Sequence, residues 1–323
     1  MGQHHSDICV VGAGMAGLAC AKRLAEAGLI IDIIDKGRGP GGRMAARRAE
    51  IGGEVVSFDH GAQYFTARDE DFRAAVKQWQ TLGVVAPWDA AGDDAFVGIP
   101  GMNGPIRGMA QSLKVRWNTR AEALRREQGE WRVEAGEDVF TAKTVVVAIP
   151  AEQAHALLQQ PAPGLAAVAA QARSAPCWAV MAAFAEPLGI ENDMIRDADA
   201  AISWAARNSA KPARAGRECW VIHASPGRSR ELLDHPKEEV GPLLLDDFFS
   251  QTGAECAAPI HLAVHRWLYA MAEPVAGEEA RFDEGSSIGI AGDYLHSPRV
   301  EGAWLSGVAL AEKVLAPAEQ LVD

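Results

Sequence analysis

Cysteine is scarce and scattered in this sequence. The 323 residues include five cysteines, none in a CxxC spacing: Cys9, Cys20, Cys177, Cys219 and Cys256. An odd number of widely spaced thiols gives neither a regular disulfide framework nor a cysteine-based metal motif. We therefore expect reduced thiols, a cytoplasmic location and no metal site.

The chain also lacks an evident targeting or membrane segment. The N-terminus has no basic stretch followed by an apolar run, and no uncharged apolar stretch approaches the roughly 20 residues of a membrane span. The formal net charge of −12, from 31 basic and 43 acidic residues, argues against general binding to nucleic acids or anionic membranes. We expect a soluble protein that acts on small molecules.

What the chain does have is enough length and apolar content for a large core. Its composition, with 48% hydrophobic and 23% charged residues, is that of an ordinary globular protein. A chain of 323 residues exceeds the usual size of one compact core, so we expect one large domain or two intimately joined domains.

A glycine-rich turn between a strand and a helix opens the chain. Asp7 to Val11 (DICVV) predicts a short buried strand, and GAGMAG (Gly12 to Gly17) follows directly. LACAKRLAEAG then has an amphipathic helical pattern up to Gly28, and LIIDIID predicts a second strand ending at Asp35. This order, with an acidic residue after the second strand, is typical of a dinucleotide-binding βαβ unit.

Each residue of this turn has a predicted task. Gly12 permits the tight turn, Gly14 leaves the backbone open to a pyrophosphate, and Gly17 lets the helix pack on the strand. The helix start, which includes Ala16, would face the phosphates, and Asp35 would accept hydrogen bonds from the adenosine ribose. A purely structural glycine turn is the alternative.

The segment that begins at Asp35 indicates which dinucleotide binds. DKGRGPGGRMAARR resembles the second signature of the large FAD family that contains the amine oxidases, in which an acidic residue precedes a loop ending in GGR. The resemblance implies FAD contacts for Lys36, Gly42 and Arg43, with Arg43 as a charged fork near the phosphates. A Rossmann unit that binds only NAD has no need of this loop.

Later segments fit the same FAD domain. VRWNTRAEALRREQGEWRV predicts two strands, and the resemblance places a backbone contact to adenine near Ala121. TVVVAIP (Thr144 to Pro150) is typical of a central parallel strand. Ser286 to Leu315 predicts a strand, a Gly-Asp turn and a helix. By resemblance, Asp293 reaches the ribityl chain, and the helix start at Val300 faces the flavin, where its dipole favours negative charge.

The remaining residues predict a second domain inserted into the first. AVMAAFAE, AISWAAR, CWVIHAS and IHLAVHRWLYA indicate strands, and Pro236 to Gly253 indicates an amphipathic helix with a glycine stop. We predict an α/β fold with a Rossmann-type FAD-binding domain at residues 1–66, 108–150 and 285–323. The substrate domain, at residues 67–107 and 151–284, would be an α+β unit on a mixed, largely antiparallel sheet.

Several motifs resemble one group within the superfamily of amine oxidases and p-hydroxybenzoate hydroxylase-type flavoproteins. DHGAQYFTARD, GIPGM, AISWAARNSAKP, WVIHASP, HRWLYA and RVEGAWLSG occur in this order in bacterial renalase-like FAD-dependent oxidoreductases. The resemblance spans nearly the whole chain. It implies oxidation of the 2- and 6-dihydro isomers of NAD(P)H to NAD(P)+, a metabolite-repair reaction. The hydride would pass to flavin N5, and dioxygen would be reduced to hydrogen peroxide.

The family resemblance also gives roles to FDHGAQYFTAR (Phe58 to Arg68). Gly61 and Ala62 would let the segment pass close to the flavin, and Gln63 and Tyr64 would contact FAD. The residues that would wall the substrate space are Tyr64, Phe65, Thr66, Ala67 and Arg68. Aromatic rings can sandwich a nicotinamide, and an arginine can meet a phosphate. The alternative for Phe65 is a core position on an edge strand.

Two further substrate contacts are expected, Cys177 from its family position and Arg299 from RVEGAW. The alternative for Cys177 is a small core residue. No catalytic residue is predicted, because a dihydropyridine gives up hydride without proton abstraction, so orientation and stacking would carry the reaction. HLAVH (His261 to His265) lacks the glutamate of a zinc protease motif. GIAGDY contains no cysteine, so FAD should bind non-covalently.

Two other functions remain open. An FAD-dependent amine oxidase or desaturase shares this fold and often holds a water near N5 with a lysine. Lys211 is the candidate lysine, although NSAKPAR fits a solvated turn equally well. The second alternative is a non-enzymatic flavin-binding protein with slow redox turnover. Flavin bleaching by dihydronicotinamide isomers, by amines or by neither would separate the three.

Overall fold

A computed structural model of the chain describes residues 2–214 and 216–316. Two units share the chain. Unit 1 comprises Met1–Gly42, Ile106–Arg173 and Ala272–Asp323, and unit 2 comprises Arg43–Pro105 and Ser174–Met271. The predicted α/β fold class is confirmed, because unit 1 contains a mostly parallel sheet and unit 2 an antiparallel one.

The described residues form these strands: β1 Gln3–Val11, β2 Ile31–Ile34, β3 Ala46–Ile51, β4 Glu54–Asp59, β5 Phe65–Thr66, β6 Val85–Pro87, β7 Ala95–Gly98, β8 Val115–Arg116, β9 Ala123–Glu127, β10 Glu130–Ala135, β11 Asp138–Val147, β12 Arg173–Phe184, β13 Met194–Arg196, β14 Ile202–Arg207, β15 Glu218–Ala224, β16 His261–Glu273, β17 Arg281–Asp283 and β18 Ile288–Ile290. The helices are α1 Met15–Glu26, α2 Glu70–Thr81, α3 Gly104–Gln111, α4 Ala151–Leu158, α5 Pro163–Ala169, α6 Pro226–Glu231, α7 Lys237–Thr252 and α8 Val300–Leu315. Across the described ranges, every helix is too short or too polar to cross a membrane.

Unit 1 is built on a sheet with the strand order β17-β18-β11-β1-β2-β8, extended from β11 by the antiparallel strands β10 and β9. β1 lies parallel between β11 and β2, and its residues Ile8 to Val11 are almost fully buried. A near-continuous apolar run is expected for a strand covered on both faces. β1 starts at Gln3, four residues earlier than DICVV predicts, and His4 stacks on Phe140 of β11.

Helices α1 and α8 pack closely within unit 1. A Cβ atom added to Gly307 of α8 would lie 2.2 Å from the carbonyl oxygen of Ala16 in α1, so only glycine allows this approach. α1 ends as predicted, because Gly28 has a φ of 88° that favours glycine and stops the helix.

Unit 2 contains a five-stranded sheet with the order β13-β14-β15-β12-β16. The pairs β13–β14, β14–β15 and β15–β12 are antiparallel, as the sequence pattern predicts. α7 covers one face with Val240, Leu244 and Phe248, which share an apolar core with Trp220 of β15. Gly253 ends α7 in the left-handed conformation, with a φ of 69°, and so confirms the predicted glycine stop.

The observed division of the chain differs from the predicted domain boundaries. Unit 2 starts at Arg43, so FDHGAQYFTAR belongs to it and not to the FAD-binding domain. Helices α4 and α5, expected in the substrate domain, belong to unit 1, because Ala154, Leu158 and Leu165 share the core of β10 and β11. These placements depend on long-range packing, which the local sequence pattern does not report.

Candidate functional site

Most of the predicted cofactor residues gather at one edge of the unit 1 sheet. Five parallel strands end in register at Ile290, Val147, Val11, Ile34 and Arg116. Gly12 follows β1 directly, Asp35 follows β2, and Asp293 comes three residues after β18. Ligands of open α/β sheets bind outside this carboxyl edge, so the predicted residues converge where a dinucleotide is expected.

The three glycines of the first turn differ in what surrounds them. A Cβ on Gly17 would lie 1.9 Å from the carbonyl oxygen of Gly12, and a Cβ on Gly12 would lie 2.4 Å from that of Ala148. These two glycines are required by the packing of the turn itself. A Cβ on Gly14, in contrast, would meet no atom within 4 Å. The space beside Gly14 is therefore open to a ligand.

The surroundings of Gly14 fit the phosphates and ribose of FAD. Gly14 caps α1 without a side-chain hydrogen bond, so first-turn N–H groups and the positive helix end are available to an anion. Asp35 accepts the N–H groups of Ala13 at 2.7 Å and Gly37 at 2.6 Å, and each oxygen keeps a lone pair for a ribose hydroxyl. A Cβ on Gly42 would lie 3.9 Å from Gly14 Cα, which places Gly42 beside the same opening.

Three other residues that were predicted to contact FAD do not all lie in unit 1. The exposed Lys36 donates from Nζ to Gln153 Oε1 at 2.8 Å. Ala121 follows β8 and is partly buried against the unit 1 core. Arg43 belongs to unit 2, where its carbonyl oxygen accepts the N–H of Ala62 at 2.8 Å. Lys36 and Ala121 therefore lie in the same unit as the glycine turn, and Arg43 does not.

The end of the chain supplies a second uncapped helix start in unit 1. Asp293 is buried in a short helical turn after β18, and the preceding Gly292 donates its N–H to Ser306 Oγ of α8 at 2.9 Å. α8 begins at Val300, and its cap residue Arg299 makes no capping hydrogen bond through its side chain. The Arg299 side chain is exposed. Val300 thus has the helix-start geometry that the sequence predicts.

A second group of predicted residues lies on one face of the unit 2 sheet. Trp204 of β14 and Ala179 of β12 both lie opposite His223 of β15. Side chains alternate along a strand, so Cys177 shares the face of Ala179. The ring of Tyr64 stacks on that of Trp204, with centroids 5.2 Å apart. We call Tyr64, Trp204, His223 and Cys177, all partly exposed, the aromatic–histidine surface.

This surface presents uncharged groups. Burial and the charge of Lys211 lower the pKa of His223 to about 4, so its imidazole is neutral at neutral pH. Burial raises the pKa of the Cys177 thiol to about 12, which removes it as a nucleophile at that pH. The Nε1–H of Trp204 is buried and has no hydrogen-bond partner within the described ranges.

Phe65 does not join this surface. It is 3% exposed, and its ring packs against Phe72 and Phe96 with centroid distances of 6.0 and 5.9 Å. This packing contradicts the predicted substrate-wall position and fits the core alternative, because Phe65 is the inward residue of β5. Ala67 is equally buried, whereas Thr66 is partly exposed.

Arg68 and the small residues before Tyr64 have partners inside unit 2. The exposed Arg68 donates from Nε to Asp94 Oδ2 at 3.2 Å, so a carboxylate occupies a position predicted for a substrate phosphate. A Cβ on Gly61 would lie 2.0 Å from the carbonyl oxygen of Arg43. The same oxygen accepts a hydrogen bond from the N–H of Ala62. Gly61 is required by this backbone contact, whereas the family resemblance implies a close approach of Gly61 to the flavin.

Gln63 connects the aromatic–histidine surface to three buried charged residues. Lys211 Nζ donates to Gln63 Oε1 at 3.1 Å and lies 3.4 Å from Asp59 Oδ2. Arg214 Nη2 lies 2.8 Å from the same Asp59 oxygen. We call Asp59, Lys211 and Arg214 the buried charge cluster. The alternative of a solvated turn for Lys211 is wrong, because its side chain has no exposure.

The cluster fixes the amide of Gln63 and alters the acidity of Lys211. Gln63 Nε2 donates to the carbonyl oxygens of Asp59 and Gly61 and lies 3.4 Å from His223 Nε2. Burial lowers the pKa of Lys211 to about 8, although the charge of Asp59 opposes this shift. Lys211 therefore releases its proton more readily than an ordinary lysine.

Trp204 and His223 are not among the site residues predicted from the sequence, and neither is the pair formed by His60 and His265. His60 stacks on Trp267 with centroids 5.2 Å apart and meets His265 edge-on at 4.9 Å. Burial, followed by the charge of His265, lowers the pKa of His60 to about 4. One signal was available: a tryptophan and a histidine interrupt the otherwise apolar strands AISWAAR and CWVIHAS. Within the described ranges, no three metal-binding side chains form a group that could hold an ion.

Solved structures of several oxidases share the fold. A protein described as a protoporphyrinogen oxidase, from Exiguobacterium sp. 255-15, is 14% identical, with a TM-score of 0.75 and coverage of 97% of this chain and 99% of that chain. Wild-type putrescine oxidase bound to putrescine is 14% identical, with a TM-score of 0.68 and coverage of 98% and 100%. Cyclohexylamine oxidase from Brevibacterium oxydans IH-35A is 12% identical, with a TM-score of 0.66 and coverage of 96% and 98%. At these identities the likeness shows the fold alone.

Two family models match the sequence itself. The NAD(P)-binding Rossmann-like domain matches residues 10–79, which include the glycine turn and Asp35. The flavin containing amine oxidoreductase model matches residues 81–315, well over half of the chain. Together with the open carboxyl edge of the unit 1 sheet, these matches make FAD the cofactor and the protein an FAD-dependent oxidoreductase. The chain belongs to the family of flavin containing amine oxidoreductases.

Proposed function

We propose that the protein is an FAD-dependent oxidase of the 2- and 6-dihydro isomers of NAD(P)H. The observation that carries this proposal is the aromatic–histidine surface, where Tyr64 and Trp204 stack beside a neutral His223. The ordered motifs that resemble bacterial renalase-like oxidoreductases point to the same substrate class. The scattered, unpaired cysteines support a cytoplasmic role in metabolite repair.

A dihydronicotinamide is a flat, uncharged ring with a carboxamide, and the surface offers matching groups. The aromatic rings of Tyr64 and Trp204 supply flat apolar area. His223 adds a hydrogen-bonding group without a charge. Orientation of the ring is therefore the task that these side chains perform.

The overall reaction needs no catalytic base from the chain. Dihydro-NAD(P), dioxygen and one proton give NAD(P)+ and hydrogen peroxide, and two electrons leave the ring as hydride. Bound FAD would supply the hydride acceptor at N5 and the passage of both electrons to dioxygen. Since aromatisation of the ring requires no proton transfer at the reacting carbon, the Cys177 thiol has no chemical step to perform.

Amine oxidation is the second candidate. The family match, and the putrescine and cyclohexylamine oxidases with the same fold, favour it. Lys211 adds a specific observation, because its lowered pKa would let a neutral lysine accept a proton near pH 8. A protonated amine, however, would find an uncharged imidazole and no free carboxylate among the four residues of the aromatic–histidine surface.

Anaerobic rapid mixing of the FAD-loaded protein with each substrate class tests the proposal. We expect 2- or 6-dihydro-NAD to bleach the flavin absorbance rapidly and ordinary 4-dihydro-NADH to do so very slowly. A ring fixed by stacking presents only some carbons for hydride transfer, and a misplacement of about 1 Å can cost on the order of 100-fold in rate. Equal bleaching by all three isomers would indicate a general NADH oxidase, and bleaching only by amines would establish the second candidate.

A further inference from the structure

The buried charge cluster carries more positive than negative charge. Within the described part of unit 2, Asp59 is the only buried acidic residue, and its Oδ2 faces both Lys211 and Arg214. Its Oδ1 accepts the backbone N–H of Met102 at 2.8 Å. With both cations protonated, one carboxylate opposes two positive charges. Burial weakens the screening of the surplus charge by water.

This surplus charge lies directly behind the aromatic–histidine surface. Lys211 Nζ is 5.2 Å from the ring centroid of Trp88, and Trp88 lies 6.3 Å from the ring of Tyr64. On the other side, Gln63 contacts both Lys211, at 3.1 Å, and His223, at 3.4 Å. One layer of uncharged side chains therefore stands between the ammonium and the groups that a ligand would touch.

The pKa of His223 indicates the electrostatic potential at the aromatic–histidine surface. After burial, the charge of Lys211 is the largest cause that lowers the pKa of His223. A backbone hydrogen bond to His60 opposes this shift, and the charge of His60 contributes a smaller lowering. His60 is itself influenced by His265, Arg47 and Asp59. Protonated His223 would be a cation at this surface, and the positive potential from Lys211 disfavours that protonated form. The same field must act on any cationic group of a ligand beside His223.

We propose that Lys211 is a specificity-determining residue whose buried positive charge makes the aromatic–histidine surface accept neutral rings and disfavour cationic ones. The inference rests on the proposed function and deepens it, because a dihydronicotinamide ring is neutral and a protonated amine is not. Oxidation converts the neutral ring into a pyridinium cation, so the same charge weakens the binding of the product. Lys211 acts through the electrostatic potential and not through contact with the ligand.

The test compares nicotinamide with 1-methylnicotinamide, a neutral ring and a pyridinium of similar shape. Their dissociation constants for the FAD-loaded protein are measured by calorimetry in the wild type, Lys211→Met and Lys211→Arg. Lys211→Met leaves Asp59 paired with Arg214, so no buried charge loses its partner. At an effective dielectric constant near 20, one charge several ångströms away changes cation affinity by about tenfold or more. The preference is the ratio of the dissociation constant of 1-methylnicotinamide to that of nicotinamide. We expect Lys211→Met to lower this ratio by about tenfold and Lys211→Arg to leave it unchanged.

The titration of His223 gives a second readout that needs neither ligand nor turnover. Histidine-labelled protein is followed by NMR, and the resonance is assigned with His223→Gln. We expect the pKa of His223 to rise by at least about one unit in Lys211→Met and to stay low in Lys211→Arg. An unchanged His223 pKa in Lys211→Met, or an ordinary value near 6.5 in the wild type, would overturn the role of Lys211. These results stand apart from the proposed function, which fails only if dihydronicotinamide isomers do not reduce the flavin.

Discussion

Lys211 Nζ lies 3.4 Å from Asp59 Oδ2, and neither side chain is exposed to solvent. The two residues are 152 positions apart, and Asp59 also holds Arg214 at 2.8 Å. Asn208 adds neutral support, because its side chain accepts the N–H of Asp59 at 3.1 Å and donates to the carbonyl oxygen of Ser57 at 2.6 Å. One carboxylate therefore ties the end of β4 to the segment after β14.

Asp59→Asn should destabilise the protein strongly. The substitution leaves Lys211 and Arg214 buried without a counter-charge, and breaking a buried pair in this way costs about 3–5 kcal/mol. Equilibrium unfolding in urea would measure the loss. The control is Asp94→Asn, which breaks the exposed Arg68 pair and should cost less than about 1 kcal/mol. Similar small losses in both variants would show that the buried cations do not depend on Asp59.

Stability should fall as the pH drops from about 6.5 to about 4. His60 and His223 each have a folded-state pKa lowered to about 4 from an ordinary value of 6.5, so the unfolded chain binds more protons in this window. Their full contribution is present above pH 6.5 and is lost progressively below it. The free energies of unfolding in urea at pH 7.5 and pH 5 should differ by roughly 2 kcal/mol for each histidine. In His223→Gln, the difference in unfolding free energy between the two pH values should be smaller than in the wild type. An unchanged difference would mean that His223 is protonated in the folded state at pH 5.

The glycine turn and the buried charge cluster show what the sequence could and could not predict. GAGMAG, its flanking strand and helix, and Asp35 form one local unit, so spacing alone places Gly14 and Asp35 together. The aromatic–histidine surface combines strands β14 and β15 with a segment some 140 residues earlier, and no local pattern reports that pairing. Lys211 lies among polar residues that fit a solvated turn, and only the distant Asp59 explains its burial.

Gly14→Val should abolish FAD retention and leave the fold intact. The Cβ position of Gly14 faces open space, so the added side chain would occupy the predicted approach of the pyrophosphate and nothing else. Flavin content after purification and the circular dichroism spectrum would be measured together. Gly17→Val is the matched control, and it should damage the fold because its Cβ would lie 1.9 Å from the Gly12 carbonyl oxygen. A folded Gly14→Val protein with stoichiometric FAD would show that the turn is merely structural.

Arg299→Ala should weaken binding of the dihydronucleotide while FAD remains bound. Arg299 caps α8 with an exposed side chain that makes no capping bond, so its guanidinium is available to a phosphate or carboxamide. Loss of a charge-assisted hydrogen bond should weaken the binding free energy by about 1–3 kcal/mol. Arg23→Ala, at an exposed site in the last turn of α1, is the control and should change nothing. If Arg299→Ala bound the dihydronucleotide with wild-type affinity, Arg299 would not be a substrate contact.

Trp204→Leu and Phe65→Leu should separate substrate binding from core packing. Trp204 is partly exposed and stacks on Tyr64, whereas Phe65 is buried against Phe72 and Phe96. Loss of a stacking ring is worth about 0.5–1.5 kcal/mol beyond its area, so Trp204→Leu should raise KM for 2- or 6-dihydro-NAD by roughly threefold to tenfold.

FAD content should stay the same in both variants, since neither side chain lies in the unit that holds the glycine turn. Phe65→Leu should leave KM unchanged and lower the free energy of unfolding by about 1 kcal/mol or more, as expected for a smaller side chain in a packed core. Steady-state kinetics and urea unfolding of the two variants give opposite patterns if this assignment is right. If only Phe65→Leu raised KM, at unchanged stability, Phe65 would be a substrate contact and Trp204 would not.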